Sequence, residues 1–259
     1  MGLKALFSKT KKSAAVFVDF EHWCYSLNSR FNLKPQIVEW YDNLSERFDI
    51  KRIFFFGDFT EPRLKSFIDE IRRVTNNVID TQNPSTYLKK DYTDFIMLDY
   101  IYQDVDEYSK TDVYVIFSGD GHFSSVATYL KTKKKKRVVV YGVKESMSQK
   151  LRKIADECFI VPTDDQQMFE YKKMIIDNLD YLVRQPKITF PTYMNTIKIV
   201  AEKNRVHEDK ITEAMKNLMD SGIITQEFVR GQRKNLIKIL KVNWDLAVRN
   251  GLATPETDQ

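Results

Sequence analysis

Short, nearly unbroken apolar runs recur along the first 160 or so residues, with longer amphipathic stretches between them. Ala14 to Val18, Ile53 to Phe56, Val113 to Phe117, Val138 to Tyr141 and Phe159 to Val161 are rich in Val, Ile and Phe. Runs of that length with no polar alternation predict strands buried on both faces of a parallel sheet. Asn77 to Thr81 is a weaker strand candidate. The intervening stretches repeat their apolar positions at helical spacing. Pro35 opens one, with Ile37, Val38, Trp40, Tyr41 and Leu44 as its stripe. Pro62 opens another, with Leu64, Phe67, Ile68 and Ile71, and a third runs through Phe95, Ile96, Leu98, Ile101 and Tyr102. Proline suits a first helical turn, and such stripes mark helices packed on a sheet. The alternation predicts an α/β fold with a doubly wound parallel sheet.

The rhythm changes near Thr163. Asp165 to Arg184 predicts a connecting helix, which Gln185-Pro186 ends. Phe190 to Lys203 and Glu208 to Asp220 predict two helices, the second stopped by Ser221-Gly222. Ile223 to Val229 and Leu236 to Val242 then predict a hairpin around residues 230–235. Helix, turn, helix, hairpin is winged-helix order. The expected domains are residues 1–163, a linker over 164–185, and a small winged-helix-like domain over 186–259.

Composition narrows the classes. A chain 42% hydrophobic and 30% charged is globular. No apolar run approaches the roughly 20 residues of a membrane helix. The opening residues Met1 to Phe7 fit neither a secretory signal nor the myristoylation pattern, which Leu6 breaks. Cys24 and Cys158 lie in different segments, so no disulfide framework or zinc motif is expected, and a reduced, cytoplasmic protein is. The net charge of +5 permits nucleic-acid binding without demanding it. No Gly-rich Lys-Ser/Thr loop is present, which argues against a Walker-type nucleotide site.

Ligands of a parallel α/β sheet bind beyond the carboxyl ends of its strands, so the residues there carry the chemistry. The first strand runs into Asp19-Phe20-Glu21-His22, the second into Gly57-Asp58, and the Val113 strand into Ser118-Gly119-Asp120-Gly121-His122-Phe123. Asp91 and Asp94 open the helix after the weak strand. Each acid alone has a structural reading. Asp19 and Asp120 suit helix caps, Asp91 and Asp94 a helix first turn, and Asp58 a turn. Asp99 lies about 140° around the helix from Asp94 and stands at most behind the others. Together, carboxylates converging on one edge repel one another unless a cation lies between them. Hard ions such as Mg²⁺ and Mn²⁺ take such oxygens and support phosphoryl displacement.

Four of these stretches resemble the NYN domain, a branch of the PIN-like nucleases that includes the LabA-like proteins. Val16 to His22 resembles the family's first strand, an apolar run followed by Asp-Gly-Glu-Asn. Thr93 to Asp99 resembles its acidic helix, Ser118 to Phe123 its Ser-Gly-Asp-Ser-Asp-Phe signature, and Ser148 to Phe159 its closing segment with Leu151, Ala155 and Asp156. The resemblance covers residues 14–161 and implies metal-dependent RNA cleavage, with Asp19, Asp94 and Asp120 as metal-site acids and Glu21 beside them. Two positions depart from the pattern. His22 stands where the family has Asn, and His122 where it has the second Asp of the signature. An imidazole at His122 would favour Mn²⁺ over Mg²⁺. The same departures motivate a second expectation, a catalytically degenerate NYN protein that binds nucleic acid or regulates. A haloacid-dehalogenase-type phosphatase is disfavoured, because Glu21 occupies the place of its second Asp.

Basic and aromatic residues suggest where a substrate would lie. Lys89 and Lys90 precede the acidic helix and are candidates for holding phosphate. The run from Lys131 to Arg137 falls at the amino end of a strand and predicts a solvated turn. Phe20, Trp23 and Tyr25 belong chiefly to the core, with one available to stack on a base. Phe228 to Lys241 contains Arg230, Arg233, Lys234, Lys238 and Lys241 and no acid. This basic wing, beside a helix that begins Glu208-Asp209, suits RNA or single-stranded contact, a protein partner or a homodimer better than deep groove reading.

Overall fold

The computed structural model describes residues 11–82, 92–184, 190–230 and 236–254. Among the described residues two compact units form, 11–30 with 34–161, and 31–33 with 162–254.

The first unit is built on six parallel strands: β1 (Lys12–Asp19), β2 (Phe48–Gly57), β3 (Val78–Asp80), β4 (Val113–Phe117), β5 (Arg137–Val143) and β6 (Glu157–Val161), in the order β3-β2-β1-β4-β5-β6. Its helices are α1 (Phe20–Phe31), α2 (Ile37–Arg47), α3 (Pro62–Lys65), α4 (Ile68–Arg72), α5 (Tyr92–Glu107), α6 (Ser124–Thr132) and α7 (Gln149–Ile154). The central strands are continuous apolar runs because both faces are covered. On one face Phe17 stacks with Phe54, Phe56 and Tyr114 beneath Met97 and Ile101 of α5 and Val126 and Leu130 of α6. On the other Trp23 of α1 lies 4.1 Å from Phe117 and meets Trp40 of α2, which also packs on Tyr141.

The strands form where the apolar runs place them, and the weak candidate is the short edge strand β3. Three helices differ from expectation. Helix α1 was hidden because Asp19, Glu21 and His22 read equally well as the polar end of the strand, although Phe20, Trp23, Cys24, Leu27 and Phe31 recur at helical spacing and are buried. The single helix expected after Pro62 is two short ones. The Phe67 N–H reaches Leu64 O, three residues back, and the chain turns there to bury both Leu64 and Phe67. The helix expected from Phe190 begins at Tyr193, since Pro191 disfavours helical backbone in the residue before it.

The second unit comprises α8 (Asp164–Arg184), α9 (Tyr193–Asn204), α10 (Glu208–Asp220), an antiparallel hairpin of β7 (Ile224–Arg230) and β8 (Leu236–Val242), and α11 (Trp244–Arg249). Ile175 and Leu179 of α8, Ile197 and Val200 of α9, and Ile211, Met215 and Leu218 of α10 are buried. Asn243 caps α11 by accepting the Leu246 N–H.

Candidate metal centre

The strand order reverses between β1 and β4, so the chain leaves these neighbours toward opposite faces and opens a crevice at their carboxyl ends. Val18 pairs with Phe117, which places Asp19 and Ser118 side by side at the lip. The Ser118 hydroxyl donates to Asp19 Oδ2 at 2.9 Å, and the His22 N–H donates to Asp19 Oδ1 at 2.9 Å. Asp19 therefore caps the start of α1 while facing the crevice. Ser118 Oγ also accepts the Asp120 N–H at 3.1 Å, and Asp120 Oδ1 accepts the His122 N–H at 2.8 Å, opening a 3₁₀ turn over Gly121–Phe123. Each cap uses one lone pair of its carboxylate and leaves others for a ligand.

Asp94, in the first turn of α5, comes to the same lip. One donor atom each from Asp94, Asp120 and His122 lies within 4.8 Å of the others. His122 Nδ1 stands 3.3 Å from Asp120 and 3.6 Å from Asp94. Side-chain exposure rises from 13% at Asp94 to 36% at Asp120 and 60% at His122, so the cluster opens outward from a sheltered floor. Asp19 is only 4% exposed, and both its oxygens are already hydrogen-bonded.

Burial raises the Asp19 carboxyl to about 7, against its two hydrogen bonds and with help from the nearby charges of Glu21 and Asp120. Asp94 is pushed to about 7 by burial and by the carboxylates of Asp19 and Asp120, opposed by His122. Two acids holding protons near neutrality mark a centre short of positive charge. Oxygen donors with one imidazole, converging in this way, fit a small divalent cation.

The remaining expected site residues are distributed as follows. His22 is lowered by burial and lies 3.2 Å from Ser146 Oγ and 3.4 Å from Ser26 Oγ. It packs beneath Gly119, where any Cβ would collide with its imidazole and with the Ser146 carbonyl, so only glycine lets the loop pass. Glu21 turns to α5, accepting the Thr93 hydroxyl at 3.1 Å. Asp99 is not brought into the cluster. It is exposed on α5 and accepts from Gln103 at 2.7 Å, as its angle around the helix requires. Asp58 holds a turn through Thr60. Asp91, Lys89 and Lys90 lie outside the described residues, as do Arg233 and Lys234 of the wing, whereas Arg230 is exposed. Phe20 and Trp23 are buried and present no ring to a base. Lys131, Lys134 and Arg137 pair with Asp156, Asp106 and Glu157.

Sequence reasoning missed the groove beside the cluster. A shallow, open depression of about 480 Å³ is bordered by His22, Ser26, Arg30, Gly119, Asp120, Ser146 and Ser148. Its hydroxyls come from separate segments, and only the glycines of Ser118-Gly119-Asp120-Gly121 hinted at so close an approach.

A doubly wound parallel sheet with acids gathered at its switch point defines an α/β protein of the PIN-like, nuclease-like class. The family model of the NYN domain matches residues 13–163, and the chain belongs to that family. It is similar to the crystal structure of a protein of unknown function from Vibrio parahaemolyticus, with a TM-score of 0.52 at 24% identity, over 61% of this chain and 97% of that one. That likeness speaks for the fold alone. No curated protein matches the chain. Among the described residues no helix is long and apolar enough to cross a membrane.

Proposed function

We propose that this protein is a divalent-metal-dependent phosphodiester hydrolase that cleaves RNA or another single-stranded nucleic acid. The observation that carries the reading is the convergence of Asp94, Asp120 and His122 within 4.8 Å at the switch point. These three would hold Mg²⁺ or Mn²⁺, with Asp19 close behind them as a further acid of the centre. A divalent ion supplies Lewis-acid polarisation of a phosphoryl oxygen and makes water nucleophilic near neutral pH. The protein's own groups do the positioning. Ser118 and the His22 N–H fix the Asp19 carboxylate, Ser118 also orients the Asp120 loop, and the groove lined by Ser26, Arg30, Ser146 and Ser148 receives the strand. Lys89 and Lys90 would hold phosphate near the acids. The C-terminal helices and hairpin act as a winged-helix-like module in which Arg230, Arg233 and Lys234 recruit nucleic acid.

A second reading rests on His122. With an imidazole in place of a carboxylate the ion is held less tightly, and the domain then serves as a nucleic-acid-binding or regulatory NYN module. Labelled single-stranded RNA and DNA incubated with the protein, with and without Mn²⁺ and Mg²⁺, beside Asp120→Asn, separate the two. Metal-dependent cleavage lost in the variant supports the hydrolase. Binding without cleavage under every metal condition supports the second reading.

A further inference from the structure

The β7–β8 hairpin sorts its side chains by face. Cross-strand partners share a face, so Ile224, Gln226, Phe228 and Arg230 of β7 lie with Val242, Leu240, Lys238 and Leu236 of β8. At the base of this face Ile224 and Leu240 are buried in the unit's core. Beyond them the same face is open to solvent, and Phe228 and Leu236 are 66% and 67% exposed. Each is directly opposite a cation, Phe228 facing Lys238 and Leu236 facing Arg230. The Lys238 ammonium lies 5.9 Å from the Phe228 ring centre. On the opposite face Lys241 is neutralised by Glu227 at 3.1 Å. The charges are thus segregated: among the described residues the open face carries two cations, two large apolar groups and no acid.

We infer that the open part of this face is a stacking site for unpaired nucleotides, in which a base lies on Phe228 and the flanking phosphates are held by Arg230 and Lys238. The inference deepens the proposed action on nucleic acid and rests on that reading. The alternation of ring and cation over neighbouring positions fits a polymer that alternates aromatic base and anionic phosphate. A duplex hides its base faces in its own stack and offers nothing to Phe228. Two apolar side chains interleaved with charge make a small patch, whereas insertion into a lipid surface draws on a continuous apolar face.

The test is fluorescence polarisation with the full chain in chelator, so that binding is read without cleavage. The probes are a labelled oligouridine of about a dozen nucleotides, its duplex with oligoadenosine, and vesicles of phosphatidylcholine with and without phosphatidylserine. Phe228→Ala should weaken oligouridine binding about tenfold and leave the salt slope unchanged. Phe228→Trp should keep the affinity, and its new indole emission should be quenched by the oligonucleotide. Arg230→Ser with Lys238→Ser should flatten the logarithmic salt slope by about 0.7 for each phosphate no longer neutralised. Unchanged affinity in Phe228→Ala, equal binding of duplex and single strand, or a loss confined to vesicles would each overturn the stacking site. Phe228-dependent binding by a protein that cleaves nothing in Mn²⁺ or Mg²⁺ would overturn the hydrolase reading alone.

Discussion

Single side chains decide how the centre handles charge. Asp19 and Asp94 ordinarily lose their protons near 3.8 and keep them in the fold to about 7. Between those values the folded chain binds more protons than the unfolded chain. The stability of the metal-free protein contributed by these groups is therefore full below pH 3.8, falls as pH rises through the window, and is lost above about 7. A divalent ion compensates the ionised acids, so the rise in Tm on adding Mn²⁺ should be larger at about pH 8 than at about pH 5.5 by scanning calorimetry. An equal rise at both pH values would sever the link between these acids and the ion. On the proposed reading, His122 sets metal choice. His122→Asp exchanges a nitrogen donor for an oxygen donor, and the Mg²⁺-supported rate should increase relative to the Mn²⁺-supported one; an unmoved ratio makes His122 structural. Gly119→Ala keeps every acid but drives a methyl into His22 and the Ser146 carbonyl. Mn²⁺ affinity by calorimetry should drop at least as far as in Asp120→Asn, and wild-type affinity would show that the loop yields.

Elements make the lip where those residues meet, and this is where the sequence was most and least informative. The apolar strands and the acids at their carboxyl ends could be read directly, because a strand buried on both faces admits few polar residues and a strand's end is where polarity resumes. The distinction between Asp94 and Asp99 followed from helical angle alone. Helix α1 was not legible as a helix, since Asp19, Glu21 and His22 at its start read equally well as the polar end of β1. The hydroxyl groove was invisible because Ser26, Ser146 and Ser148 are ordinary residues until the fold brings their segments together. So was the clamp at the other end of the unit, where Arg52 of β2 forks onto Asp104 of α5 at 2.6 and 3.0 Å and also donates to Thr111, while the Tyr114 hydroxyl donates to Asp104. This pair fixes the helix that presents Asp94 to the strands that flank it. Asp104→Ala leaves a largely buried guanidinium without its partner and should cost about 3 kcal/mol in urea unfolding. A loss under about 1 kcal/mol would class the clamp with ordinary surface pairs.

The whole molecule shows how the centre depends on the sheet. Asp19, Asp94 and Asp120 come from distant parts of the chain, and in the folded sheet β1, which ends in Asp19, pairs with both β2 and β4. No hairpin or local segment among the described residues gathers these three acids. Carried into time, the proposed ion seat is expected to be one of the last features to form. Pairing of distant parallel strands is slow, because chain entropy is lost before the contacts that offset it are made. Trp23 and Trp40 lie against Phe117 of β4, so their emission follows the closing of the central strands. In a Trp244→Phe background, refolding monitored by this emission and by Mn²⁺ relaxation should never show ion uptake ahead of tryptophan burial. An ion that recognises only the finished sheet cannot hasten its assembly. Added Mn²⁺ should slow unfolding and leave the folding limb of the chevron where it was.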